Sequence, residues 1–441
     1  MHAPSSPSAK GSMLHYRQAD TPDGADLFEM RDASTPLFVP HSVLIDALLR
    51  ALPPPPACTI RTSHPLTSCY PSTSRSTSRL FPLPPDGYLC LEFAGGATAT
   101  ADVLIGADGV HSTVRDSLFS NFVASGWSRL SKTELYERTE PRWTGGIMCR
   151  TLVQKDRLNA TWRDHPALST PMVYCGKGKH INTFPVPNSN AVDIAAFYTI
   201  PNAFGRIFSG NAERLVPSEK LRERYRGWEP EVQALLDCVE GPAKDQAVHS
   251  LGQLPRLVMS NVAIIGDAAH AMEPHFASGA SQAIEDAYIL GRLLTHPLTN
   301  RKRAGLALLV YEAVRLRTVN SLVLRSRELG CLTEFDCPGP NSHFKPYRDV
   351  DTNVGRNERD GTRTGDRADA EMEGAREARR KRWSEEVVKR WQWQWEGGPQ
   401  ENWKMAERVL GEAVQPGAHI DAGVGLFGLE RENDISTYAR A

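Results

Sequence analysis

The stretch Asn261 to Leu294, NVAIIGDAAHAMEPHFASGASQAIEDAYILGRLL, restricts the possible folds more than any other part of this chain. Its apolar opening, Val262 to Ile265, predicts a buried parallel strand. Gly266 ends that strand where a backbone pressed against a ligand leaves no room for a side chain. Asp267 then stands at the strand's carboxyl end, where open α/β sheets receive their ligands. After a loop containing Pro274, Gly279-Ala280-Ser281 start a helix. Ala280, Ile284, Ala287, Gly291 and Leu294 recur at helical spacing, which predicts that this face packs closely on the sheet. The first turn of such a helix offers free N–H groups and partial positive charge to the crevice. A carboxylate suited to hydroxyl groups and a helix end suited to an anionic ring are thereby expected in one place.

A second segment, Asp102 to Arg115 (DVLIGADGVHSTVR), reads as a strand, an acidic glycine turn and a helix start. Ser112 suits the N-cap of that helix, with Arg115 one turn along. Taken alone, Gly106 to Gly109 could be no more than a tight Asp-Gly turn.

Together the two segments resemble the FAD-dependent aromatic-ring monooxygenases, the salicylate-hydroxylase-like single-component flavoprotein hydroxylases. Gly266-Asp267-Ala268-Ala269-His270, Pro274, Gly279 and Gln282 to Ala287 are similar to the family's second FAD motif, and Gly106 to Arg115 to its Asp-Gly segment. The resemblance implies an α/β protein with a Rossmann-like FAD-binding domain, an antiparallel β-sheet substrate domain and C-terminal helices. It implies FAD as cofactor, NAD(P)H as co-substrate, and hydroxylation of a small salicylate-like or phenolic aromatic with dioxygen. On matched positions, Asp267 would hold the ribityl chain and Pro274 would shape the loop over the flavin. Gly266, Gly279 and Ala280 would bring backbone to the cofactor, while Asp108, Gly109 and Arg115 would order the phosphate region. His275 is the candidate for contacting a phenol; His270 reads as a packed core histidine. Arg150 matches an arginine of the family's substrate sheet, where a substrate contact and a surface salt bridge are both open. Another flavin-dependent oxidation on the same scaffold, or a cofactor-poor remnant, are the competing functions.

The family opens with a strand–GxGxxG–helix unit, and no such unit precedes Asp102. The pattern occurs once, at Gly423 to Gly428, where the remaining residues are too few for the helix and strand it needs. An N-terminally incomplete FAD-binding domain is therefore expected, with weak cofactor affinity. Residues 1–34 read as irregular. Residues 35–141 read as the first part of the FAD-binding domain, in which Phe38 to Leu49 suggests a strand and helix. Ser42 stands there where the family carries arginine, which puts a cationic cofactor contact at His41-Ser42 in question. Within that part, residues 53–85 hold 9 Pro and 11 Ser or Thr without an acidic residue, a composition too poor in apolar surface to order itself.

Residues 142–260 carry short β-rich runs (Gly146 to Val153, Met172 to Cys175, His180 to Val186, Val192 to Tyr198) between Gly, Pro and Asn turns, as the substrate sheet should. Residues 261–335 return to the FAD-binding domain, with a long helix from Ala304 to Leu329 whose Arg315 and Arg317 read as solvated or paired charges. Residues 336–382 read as a mobile charged linker, with a solvated helix the alternative over Arg356 to Arg382, and 383–441 as a Trp-rich helical segment and tail. A net charge of -1 offers no general attraction to nucleic acid. No apolar run is long enough to span a membrane and no signal peptide is recognisable, which predicts a soluble cytoplasmic protein. Eight scattered cysteines without a CxxC pair suggest reduced thiols.

Overall fold

Apolar runs separated by Gly, Asn and Pro turns become strands in the computed structural model, which describes residues 12–31, 39, 41–72, 87–124, 130–336, 365–395 and 397–415. The architecture is α/β as expected, with antiparallel sheets and C-terminal helices. Contacts divide the chain into two compact units. One comprises residues 1–60, 142–248 and 327–392, the other 61–141, 249–326 and 393–441.

The first unit is built on an eight-stranded sheet. Its strands run in the order Glu213–Val216, Ala243–Ser250, Arg142–Gln154, Ala191–Thr199, Lys179–Pro185, Met172–Gly176, Ser12–Gln18, Ala25–Arg31. All four runs read from sequence are here, paired antiparallel in register, for example Ala196 with Cys149 and with Ile181. Alternation sends Cys149, Val153, Ile181, Ile194 and Ala196 to one face, where Leu221, Tyr225 and Leu235 from the following helices close a core.

The N-terminus differs from the irregular segment expected. Ser12–Gln18 and Ala25–Arg31 form a hairpin whose first strand runs parallel to Met172–Gly176. Burial of Leu14, Tyr16, Leu27 and Met30 drives this; Leu14 and Tyr16 alternate, but Leu27 and Met30 are three apart, so the strand period is broken and easily overlooked among polar neighbours. Arg17 then forks onto the buried Glu229 carboxylate, with Nε 2.9 Å from both oxygens. Of the two readings of the charged stretch up to Arg382, the described residues take the helical one: residues 365–391 are a helix and not a linker. Trp383, Val387 and Trp391, spaced four apart, give this otherwise charged helix one buried edge. Trp383 donates to the Leu332 carbonyl at 3.1 Å and Trp391 to the Tyr16 hydroxyl at 2.9 Å, so these tryptophans anchor a helix. The reduced-thiol expectation holds for six cysteines, but Cys331 is disulfide-bonded.

The second unit contains two small sheets. In one, Leu66–Pro71, Leu89–Phe93 and Thr98–Ala101 pair antiparallel. The first of these strands lies inside the stretch read as unable to order itself. Leu89 and Leu91 beside it supply the apolar partner face that its own composition lacks, and Ser68 and Tyr70 both donate to Glu92. Residues 73–86 of that stretch lie outside the described residues. In the other sheet, Val262–Ile264 runs parallel to Leu104–Gly106 and antiparallel to Val258–Met259. Among the described residues, Leu104–Gly106 is paired on one side alone.

The helix Gly279–Leu294 forms where expected but presents the opposite face. Gln282, Asp286, Ile289, Leu290 and Leu293 are buried, whereas Ala280, Ile284, Ala287 and Gly291 are exposed. Counting apolar residues misleads here, because a polar side chain with internal partners is stable inside. The helix His41–Ala51 has no buried residue at all.

Gly24 tests how the hairpin is held. It has φ +57°, and a Cβ there would lie 1.8 Å from Glu229 Oε2 and 2.7 Å from Arg17 Nη2. Gly24→Ala is expected to cost about 1–3 kcal/mol by combining backbone strain with displacement of a buried ion pair. Urea denaturation of the two proteins measures it.

Candidate functional site

Because Val262–Ile264 and Leu104–Gly106 are parallel with Ile264 opposite Gly106, the Asp267 and Asp108 turns leave the sheet side by side at the same end. Both sequence motifs therefore meet in the second unit.

Gly266 has φ 59° and ψ −144°, a conformation essentially confined to glycine, and a Cβ there would meet the Ala283 Cβ at 3.3 Å. Asp267 follows as the first residue of the short helix Asp267–His270. It is exposed, and its carboxylate makes no hydrogen bond among the described residues. The start of the Gly279–Leu294 helix stands next to it: a Cβ on Gly279 would lie 3.9 Å from Asp267 Oδ1. Ser278, the N-cap, places no side chain over that first turn. The leading N–H groups of the helix, including those of Gly279 and Ala280, thus keep their donor capacity beside a free carboxylate.

Pro274 opens a 3-10 turn over Pro274–Phe276, which ends at Ala277 in the left-handed region with φ 53°. Ser326 donates to the Glu273 carbonyl, and Phe276 packs edge-on against Trp393 with ring centroids 5.6 Å apart. His275 lies in this turn and pairs through Nε2 with Glu273 Oε2 at 3.0 Å.

The phosphate-region candidates serve the fold itself. Asp108 caps the helix Thr113–Ala124, accepting from Ser112 Oγ at 2.5 Å and from the Val114 N–H at 3.1 Å. Gly109, with φ +82°, has open space around it. Arg115 is buried and donates to the carbonyls of Val110 at 2.8 Å and Ala268 at 3.2 Å, stitching one motif to the other. Arg150 belongs to the first unit, where it pairs with Asp193 at 2.8 Å and is exposed.

What the sequence reading missed is the charge cluster underneath. Asp286, fully buried, accepts the Gly266 N–H at 3.0 Å and His270 Nε2 at 2.7 Å on Oδ2, and Arg315 Nε at 2.7 Å on Oδ1. Arg315, also fully buried, reaches Glu285 at 2.7 Å and Gln282 Oε1 at 2.8 Å, which settles its charge as paired and internal. His270 is the packed histidine expected. The available signal was an acid and an amide, Asp286 and Gln282, four apart on one side of a helix and followed by Ile289 and Leu293.

Comparison with known proteins comes down on the same segment. The family described as FAD binding domain matches residues 253–326. The FAD-dependent monooxygenase str9 of Strobilurus tenacellus is 28% identical over 341 residues, 72% of this chain and 71% of that protein. A salicylate hydroxylase of Pseudomonas putida is 31% identical over 252 residues, 56% of this chain. The chain spans 55% of that relative's length. A solved structure, a salicylate hydroxylase substrate complex, superposes with TM-score 0.67 at 25% identity over 90% of this chain and 82% of that one.

Burial alone would raise the Asp286 carboxyl, but the hydrogen bond and charge of His270, the charge of Arg315 and the Gly266 N–H together hold it below the ordinary aspartate range. A depressed folded-state value stabilises the protein above the unfolded aspartate value of about 3.9 and is lost as pH falls below it. Melting temperature is therefore expected to drop as pH is lowered through about 4 toward 3. Asp286→Asn should flatten this limb in part only, since Asp245 in the first unit is depressed in the same direction by Arg224 despite its burial. Thermal melts across that range for both proteins check the sign.

Proposed function

We propose that this chain is an FAD-dependent aromatic-ring monooxygenase, which binds FAD in its second unit and uses NAD(P)H and dioxygen to hydroxylate a small phenolic or salicylate-like aromatic. The observation that carries the reading is Asp267: an exposed carboxylate with no hydrogen-bond partner among the described residues, beside a helix start without a side-chain cap. That donor and acceptor set fits the polyol and ring portion of a flavin. When bound, FAD supplies hydride acceptance and oxygen activation.

Each residue then has a specific task. Asp267 accepts hydrogen bonds from ribityl hydroxyls, and its rigid backbone is set by Gly266. The N–H groups at Gly279 and Ala280 favour negative charge at the edge of the ring. Pro274 fixes the turn that carries His275, whose imidazole hydrogen-bonds a phenol in exchange for Glu273 in this reading. Gly109 leaves backbone accessible to a phosphate, while Asp108 and Arg115 act by keeping that turn in shape. Arg150 is a contact for a substrate carboxylate if it releases Asp193. Pinning of the turn by Ser326 and by the Phe276–Trp393 contact favours water exclusion.

A second reading, a chain with only weak FAD affinity, is favoured by one observation. The parallel pair has a strand on one side of Leu104–Gly106 and, among the described residues, none on the other. Visible absorbance of the purified protein separates the two, a yellow stoichiometric complex supporting the enzyme and a colourless protein the weak binder. For Asp267→Ala the expected outcome is FAD affinity lower by about 10- to 100-fold, as for loss of a charge-assisted hydrogen bond of roughly 1.5–3 kcal/mol. Equal affinity of mutant and parent in a fluorescence titration would remove Asp267 from the site.

A further inference from the structure

We propose that Asp286 is a positioning residue for the cofactor: by holding the Gly266 backbone it sets where the neighbouring Asp267 carboxylate is presented to FAD. The inference rests on the FAD reading above. Asp286 itself, with 0% exposure, cannot touch a ligand, so any influence on binding passes through the groups it holds.

Gly266 takes a left-handed conformation that glycine reaches without steric cost but as one of many, so which one it keeps is decided by the bonds around it. Its carbonyl accepts from the Ala269 and His270 N–H groups of its own turn, and its N–H bonds Asp286 Oδ2, which ties the strand end to the Gly279–Leu294 helix. The carboxylate is in turn held from two other directions. His270 Nε2 shares the same oxygen at 2.7 Å, and Arg315 Nε takes the other at 2.7 Å. With donors on both oxygens the Asp286 carboxylate is fixed against rotation, and Gly266 is fixed with it. Asp267, one residue on, has no side-chain partner among the described residues. Its place therefore follows from the backbone, and the 3.9 Å between its Oδ1 and the Cβ position at Gly279 is a consequence of where Asp286 holds Gly266. Arg315 continues the chain of contacts to Glu285, which accepts from Asn402 at 2.5 Å, so four helical segments converge on this support. Groups that orient a ligand-binding side chain from behind are worth measurable affinity even though they never meet the ligand.

A double-mutant cycle on FAD affinity tests the role. Wild type, Asp286→Asn, Asp267→Ala and the double variant are titrated with FAD well below the melting temperature of each apoprotein. Melting is recorded separately without FAD. The expected result is that Asp286→Asn weakens FAD about tenfold in the parent, and less than about twofold in the Asp267→Ala background. A merely structural loss would lower the melting temperature yet act equally in both backgrounds. Equal factors in the two backgrounds, or no change in the parent, overturn the positioning role while leaving the FAD reading intact. A wild type that takes up no FAD overturns that reading, and this inference with it. Should Asp286→Asn fail to fold, Arg315→Lys, which retains a cation but loses the guanidinium fork, enters the same cycle under the same criteria.

Discussion

A single buried carboxylate, Asp286, organises the second unit. It collects a strand-end N–H, an imidazole and a guanidinium on two oxygens, the first two from the Gly266–His270 turn and the third from the long helix that carries Arg315. Without Asp286, Arg315 would be a fully buried cation with one fewer counter-charge, and the buried Gly266 N–H would lose its acceptor. Taking one partner from a buried ion pair typically costs about 3–5 kcal/mol, against far less for a pair at the surface. The apolar packing around the Val262–Ile264 strand supplies most of the folding energy, but it is non-directional. Direction comes from the charge cluster.

The first unit solves a similar problem with the same chemistry. Glu229, 1% exposed, receives the Arg17 fork and ties the N-terminal hairpin to the start of the helix Pro230–Asp237. Asp245, 2% exposed, receives both terminal nitrogens of Arg224 at 2.7 Å, and Arg224 lies 4.3 Å over the Tyr198 ring. In each case a planar guanidinium matches a carboxylate bidentately, a geometry that lysine would not reproduce. His180 and Thr199 both bond Glu334, just beyond the end of the long helix Ala304–Thr333. Buried acids thus mark the joints between elements distant in sequence.

The candidate site inherits its character from this division between framework and surface. Groups that looked functional by sequence separate into those spent on the fold (Asp108, Arg115) and those left open (Asp267, Gly109, the start at Gly279). The open set is small, and it contains both an acceptor and donors. Framework residues still contribute, because a ligand-facing carboxylate on a rigid backbone loses less freedom on binding than one on a loose loop.

Local pattern by itself determined much. The four sheet strands of residues 142–200, the Val262–Ile264 strand, the helix beginning at Gly279 and the crowded glycine at 266 all follow from periodicity, turn residues and the short-range steric demand of glycine. The order of residues also placed Asp267 at a strand end, which is why the best ligand candidate was legible. Tertiary structure decided the rest, wherever a residue's environment comes from far away in sequence. Leu66–Pro71 is a strand because Leu89–Phe93 lies against it, and the hairpin at Ser12–Arg31 is ordered by an edge at Met172–Gly176. The buried face of Gly279–Leu294 is the one bearing Gln282 and Asp286, because Arg315, 29 residues beyond Asp286, arrives to neutralise it. Hydrophobic periodicity reports what a side chain would prefer when alone; burial of a charge depends on the partner that the fold delivers.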